Sequence, residues 1–346
     1  MKRLKIGYAP LSKDLLAPGD RRRLVYWAKK RGHEIVTNLD QGYDILVLSE
    51  KANLSEYLSS KKRTPWVFDL IDGYLERENF QKDWLRGIAR NLDNHEFSLP
   101  LSFTKQVIKI CGKADAVICS SVEQQSDLSF YARNTHVILD FHEEIPLGKF
   151  SKNRTGKPKL FWEGLPATID GIKPISEVFS DVFRSEWELN IVTNLTYFRL
   201  LGKYFESETH SKLNGYFKEN FKNIRLNSWD LKNLVSASAS STIGILPVNI
   251  SNPIQRMKPE NRLLIMWRLG LPVVASPLQS YSRISKLTKI DLVADSIDEW
   301  GRKLLDLFKN PDLAEDHVSK GQMYLEEFHS EEILLRKWDT VFENLL

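Results

Sequence analysis

Several short runs in this chain are apolar almost from end to end: "YDILVLSE", "TPWVFDLIDGY" and "ADAVICSS" early on, "KLFWEG", "STIGILPV" and "LPVVAS" later. A strand with one wet face alternates apolar and polar residues. A run without that alternation is buried on both faces, as in a parallel sheet covered by helices on each side. "LKIGYAP", "HEIVT" and "THVILD" complete the predicted strands of the first half, and "LNIVTN", "NIRLNSW" and "IDLVAD" those of the second. Between them lie helical segments. "RRRLVYWAKKRG" has a basic face and stops at Gly32, and "VEQQSDLSFYA" follows Ser120 or Ser121 as its cap.

The pattern runs its course twice. The chain has 346 residues, more than one ordinary core organises, so two domains are expected. Between them "LGKFSKNRTGKPK" (Leu147–Lys159) is polar, basic and broken by Gly and Pro, the best linker in the sequence. The predicted architecture is therefore α/β, with two doubly wound, Rossmann-like domains at 1–150 and 158–329 facing a cleft. A final helix follows over 330–346, with Ile333, Leu334, Trp338, Val341 and Leu345 at roughly helical spacing.

The net charge of +4 is mild. It fits a phosphorylated ligand or an anionic membrane surface, and no aromatic–basic motif accompanies it to suggest nucleic acid. Basic clusters at Arg21–Arg23, at 29–31 and at 61–63 give the first domain a basic side, solvated or resting on such a membrane. Cys111 and Cys119 sit in or beside apolar runs and read as buried free thiols. No run reaches the apolar length of a membrane span and the N-terminus has no h-region, so the expected location is cytoplasmic. "HEE" at 142–144 lacks the spacing of a zinc helix, and no metal or cofactor is expected.

The stretch with most chemistry is "RMKPENRLLIMWRLGLPVVASP" (Arg256–Pro277). Pro259 suits a first helical position. The backbone N–H groups of Glu260, Asn261 and Arg262 would then point out of a helix start, which favours phosphate. Arg256 and Lys258 precede that end and Asn261 adds a side-chain donor. The strand just upstream would put the site at the carboxyl edge of the second sheet, where ligands collect.

From Trp229 the order "SWDLKNLVSASASSTIGILPVN", a basic turn and "NRLLIMWRLGLPVVASPLQSY" resembles the C-terminal domain of GT-B glycosyltransferases, especially family four. The loop with Gly19, the Arg-bearing helix, "RGHEI" and "ADAVICSSVEQQSDL" resemble its N-terminal domain. The last helix, with Trp338, resembles the segment that crosses back to that domain. The resemblance implies a retaining, metal-independent transfer of a sugar from a nucleotide-activated donor to a glycan or lipid-linked glycan. Gly19, Gly164 and Trp229 join Arg256, Lys258, Glu260, Asn261 and Arg262 as candidate donor-site residues. Asp69 and Asp72, at the carboxyl end of a predicted strand, are the candidate acceptor-side bases.

Two departures stand out. Family members often carry glutamates on the positions of Met257 and Ile265, the second holding the nucleotide ribose; Glu260 is a candidate substitute here. "LPATIDGIK" also replaces the Arg and Lys that follow the first strand of the second domain in many members. A catalytically silent binding or scaffold subunit and a nucleotide-sugar epimerase are the alternatives.

Overall fold

The computed structural model describes residues 2–59, 64–73, 75, 102–152, 156–184, 186–199 and 204–346. The basic triplet at 61–63 and the middle of the expected linker, 153–155, lie outside these. The chain divides into two compact units. One comprises Met1–His142, Met257–Pro259 and Ser330–Leu346; the other comprises Glu143–Arg256 and Glu260–His329.

The first unit holds a parallel six-stranded sheet. Its strands are β1 (Lys5–Ala9), β2 (Glu34–Val36), β3 (Ile45–Ser49), β4 (Trp66–Leu70), β5 (Ala116–Cys119) and β6 (Thr135–Val137), in spatial order β2-β1-β3-β4-β5-β6. All five residues of β3 are buried. Ile45 and Val47 join one core while Leu46 and Leu48 join another, the alternation expected of a strand covered on both faces. Helix α1 (Leu24–Arg31) ends on Gly32, whose φ of 72° gives the left-handed cap that glycine adopts without a Cβ penalty. Helix α2 (Phe103–Lys113) is capped by Ser102, and α3 (Val122–Leu128) by Ser121. The free thiols Cys111 and Cys119 are both buried in the second of these cores.

The C-terminal helix (Glu331–Glu343) lies on the first core. Leu334, Leu335, Trp338, Val341 and Phe342 pack with Leu24 and Trp27 of α1. Trp27 stacks on Phe342 with ring centroids 4.4 Å apart and donates its indole N–H to Asp339 at 2.8 Å. Arg31 forks onto the same Asp339, and Lys30 pairs with Glu331 at 2.6 Å. Two cations of the expected basic face are thus ion-paired to this helix.

The second unit carries a parallel five-stranded sheet. Its strands are β7 (Lys159–Glu163), β8 (Glu188–Thr193), β11 (Ile224–Ser228), β12 (Ile243–Leu246) and β13 (Val273–Ala275), in order β11-β8-β7-β12-β13. A separate antiparallel hairpin, β9 (Thr196–Arg199) with β10 (Tyr204–Glu208), follows β8 and is not expected from the sequence. "IDLVAD" does not form the expected last strand; it makes a single bridge, Ala275 to Val293. One sheet face carries the core built on Trp162, Phe179 and Trp187.

Helices α4 (Leu231–Ala239), α5 (Asn261–Arg268), α6 (Gln279–Thr288) and α7 (Pro311–His329) belong to this unit. Leu263 to Trp267 are all buried in α5, because Met266 packs on Gly244 of β12 and Trp267 on Gly321 of α7. The first part of the expected linker is not free. Arg268 binds the Ile145 carbonyl at 2.5 Å and Glu143 at 2.6 Å, and a Cβ on Gly148 would run into the Leu269 carbonyl. No helix among the described residues is long and apolar enough to cross a membrane.

Candidate functional site

The carboxyl edge of the second sheet is built around the end of β7. Trp162 is fully buried, Glu163 nearly so, and Gly164 turns the chain with φ +154°. A Cβ on Gly164 would stand 3.1–3.2 Å from Thr168 Oγ1, Arg262 Cζ and Trp162 Cη2, so this corner tolerates glycine and little else. Arg262, on the first turn of α5, reaches it. Its guanidinium lies 4.9 Å from the Trp162 ring centroid, and its Nη2 donates to the Glu163 carbonyl. Its Nε stands 3.4 Å from Glu163 Oε1, and both of those buried atoms lack a hydrogen-bond partner. The sequence draws attention to the Arg262 backbone; the structure adds its side chain.

Helix α5 starts two residues later than expected. Glu260 is its N-cap, Leu264 N–H closes the first turn on the Glu260 carbonyl at 3.1 Å, and Pro259 stands outside. Glu260 makes no side-chain cap. Its carboxylate, 2% exposed as a residue, accepts from Arg283 of α6 at 3.1 and 3.2 Å. Glu260, the candidate substitute for the missing glutamates, is thus paired with Arg283. Burial pushes the neighbouring Tyr281 phenol up to about 12; Arg262 opposes the shift, and Glu163 and Glu260 add to it.

Asn261 opens α5 and is half-buried, while Arg256 is exposed. Trp229 is half-buried in the turn after β11, between Ser228 and the Asp230 that caps α4, and is not part of the core. Ile265 is 3% exposed.

In the first unit the arginine cluster is not a solvated surface. Arg22 and Arg23 are both buried. Arg23 forks onto Asp69 of β4, Nε to Oδ2 at 3.0 Å and Nη2 to Oδ1 at 2.5 Å, and also reaches Asp140 at 3.3 Å and the Ile138 carbonyl at 2.7 Å. Burial works against the Arg23 charge, and Asp69 and then Asp140 more than restore it. With both oxygens on Arg23, Asp69, a candidate acceptor-side base, is the inner half of a buried ion pair.

Asp72, the second candidate base, pairs with Lys258, the cation expected on a diphosphate. Burial disfavours the Lys258 charge; Asp72, Glu50 and Asp140 outweigh it and raise the ammonium above its usual value. Glu50 in turn accepts from the backbone N–H groups of Ile71 and Asp72 at 3.1 and 2.9 Å. Beside this pair, a Cβ on Gly73 would stand 2.5 Å from Met257 Cβ. Gly19 lies where a Cβ would strike Leu11 and Ile71, so here its small size serves packing. Among the described residues no group of His, Cys, Asp and Glu is arranged to hold a metal ion.

Solved structures share this architecture. TarM aligns with 86% of this chain at 15% identity and a TM-score of 0.61, over 54% of its own length. WaaG, a glycosyltransferase involved in lipopolysaccharide biosynthesis, aligns with 97% of this chain and 98% of its own at 10% identity and a TM-score of 0.57. The fold is GT-B. A mutant of S. aureus TarM, in complex with Fondaparinux, alpha-GlcNAc-glycerol and UDP, gives 14% identity and a TM-score of 0.59, over 86% of this chain and 55% of that one. The GT-B chain here thus spans about half the length of TarM and nearly all of WaaG. At these identities the likeness is one of fold. No protein-family model and no curated protein sequence matches the chain.

Proposed function

We propose that this GT-B protein is a glycosyltransferase that moves a sugar from a nucleotide-activated donor to a hydroxyl of a glycan or lipid-linked glycan. The observation that carries the reading is the corner where the Arg262 guanidinium lies over Gly164 at the carboxyl end of β7. A fixed cation, a glycine turn and the start of α5 meet there, an arrangement suited to a nucleoside diphosphate. Arg262 and the first N–H groups of α5 stabilise the charge that grows on the leaving diphosphate. Asn261 and Arg256 extend that site, and Trp229 offers a face to the base. The complex of mutant S. aureus TarM with UDP supports a nucleotide donor on this fold. The family-four resemblance supplies a retaining course.

A second reading is a GT-B subunit that binds without catalysing. It is favoured by the engagement of Asp69 and Asp72 by Arg23 and Lys258, together with the apolar, buried Met257 and Ile265. Incubation with a panel of nucleotide-sugars decides between them. Release of free nucleotide supports transfer, binding without release supports the silent subunit, and neither binding nor release rejects both.

A further inference from the structure

In the first unit Arg22 and Arg23 are buried, and Lys30 and Arg31 are ion-paired to the C-terminal helix. Other cations stand in water, on α2. The buried residues of that helix, Phe103, Gln106, Val107, Ile110 and Cys111, form one stripe. Lys105, Lys109 and Gly112, at i, i+4 and i+7, form the opposite stripe, and all three are exposed.

The turn after α3 lies against the end of that exposed stripe. A Cβ on Gly112 would stand 3.5 Å from the Tyr131 carbonyl. Leu128 and Ala132 are buried in the same core as Cys111, and the Tyr131 and Ala132 N–H groups both close on the Leu128 carbonyl at 2.9 Å. Held in this way, the turn leaves Phe130 83% and Tyr131 42% exposed. Arg133 follows and is exposed as well. Among the described residues Lys105, Lys109 and Arg133 make no ion pair. Glu123 and Asp127, the acids of α3, are half-buried.

We propose that the Phe130–Tyr131 turn, with Arg133 and the Lys105–Lys109 stripe of α2, docks on an anionic lipid bilayer. The two rings enter the headgroup layer and the cations meet the lipid phosphates. Charge selects this occupant over a second copy of the chain, since two copies meeting symmetrically through the patch would set cation against cation. Size selects it over a folded protein. Two rings and three cations fall far short of the about 20–30 residues a side of a stable protein interface. A bilayer asks only for ring insertion and attraction to each nearby cation. The inference does not depend on sugar transfer.

The test is co-sedimentation of the full chain with phosphatidylcholine vesicles, with and without phosphatidylglycerol, at low and high salt. The wild type should bind the anionic vesicles, be released by salt and leave the neutral ones. K105Q/K109Q/R133Q should bind them about 100-fold more weakly, since each cation near the surface contributes about fivefold. F130S/Y131S should lose about tenfold while keeping its salt dependence. K218Q/K222Q/K232Q removes as much charge from exposed positions of the second unit and should stay within about twofold of the wild type. Thermal melts verify that each variant is folded. No binding of anionic vesicles by the wild type, or equal losses in the two triple variants, would overturn the inference. Self-association of the wild type that F130S/Y131S abolishes, without vesicle binding, would overturn it too and give the patch to a second copy.

Discussion

The Asp72 carboxylate pairs with the Lys258 ammonium, 186 positions further along the chain. The sequence alone suggests a base in one and a diphosphate ligand in the other. Both side chains are about a quarter to a third exposed, so the pair should contribute modestly to stability. A double-mutant cycle on Asp72→Asn and Lys258→Met, read by urea unfolding, should return a coupling of about 1 kcal/mol. Strict additivity would show that the two groups do not interact in solution.

Asp69 behaves differently because its partner is fully buried. Asp69→Ala leaves the Arg23 guanidinium in the core with Asp140, among the described residues, as its remaining ion-pair partner. Breaking a buried pair in this way costs about 3–5 kcal/mol. The expected result is a large fall in melting temperature. A variant as stable as wild type but inactive would instead restore Asp69 as a base.

Trp338 should be the anchor of the C-terminal helix. It is fully buried, 5.8 Å from Trp27 between ring centroids, in a core shared with β1 and α1. Trp338→Ala should cost about 3–5 kcal/mol, and deleting Glu331–Leu346 should expose an apolar face and promote aggregation. Light scattering and thermal melts check both; a soluble, equally stable truncation would contradict the packing seen here.

Two histidines give stability a pH dependence. Burial lowers the pKa of both His33 and His136 below the ordinary 6.5, and His33 Nδ1 accepts from the Leu4 N–H at 3.2 Å. The fold therefore favours the neutral imidazole at both positions. Below pH 6.5 the unfolded chain binds protons that the folded chain refuses, so stability falls as pH drops through that value. Melts should be flat above about pH 7 and decline towards about pH 5.5, with His33→Gln reducing the decline. A curve unaffected by His33→Gln would show that this imidazole is not held neutral.

Much of the fold was legible because burial on both faces leaves a direct mark. The first four residues of β3, Ile45 to Leu48, read as an unbroken apolar run because each packs into one of two cores. The hairpin β9–β10 left no such mark; Phe198 and Phe205 are exposed there, and it pairs with neither main sheet. "IDLVAD" looked like a strand by composition, but only Val293 finds a bridging partner. The site was harder to read, because its charges are decided by partners far away in sequence. "RRRL" looks like surface until Asp69, 46 positions on, draws Arg23 inward. Glu260 looks like a free carboxylate until Arg283 closes on it, 23 positions on. Gly164 and Arg262 could each be singled out in the sequence; their meeting could not.

Ile265 tests how far the donor region has been rebuilt. It lies between Leu264 and Met266, both without exposure, and is itself 3% exposed. Ile265→Glu would bury a carboxylate with no partner provided for it. A loss of several kcal/mol is expected, on the order of the cost of an unpaired buried polar group. A stable Ile265→Glu variant with tighter nucleotide binding would show that only a ribose contact had been lost.

The most direct measurement is a calorimetric titration of nucleoside diphosphates into the wild-type protein and into Arg262→Gln, with thermal melts to verify folding. One nucleoside diphosphate should bind saturably to the wild type. The folded variant should bind it about 10- to 150-fold more weakly, the loss of a charged hydrogen bond worth roughly 1.5–3 kcal/mol. Equal affinity in the two proteins, or no binding of any nucleoside diphosphate by the wild type, would contradict the placing of a donor diphosphate at the start of α5 beside Arg262.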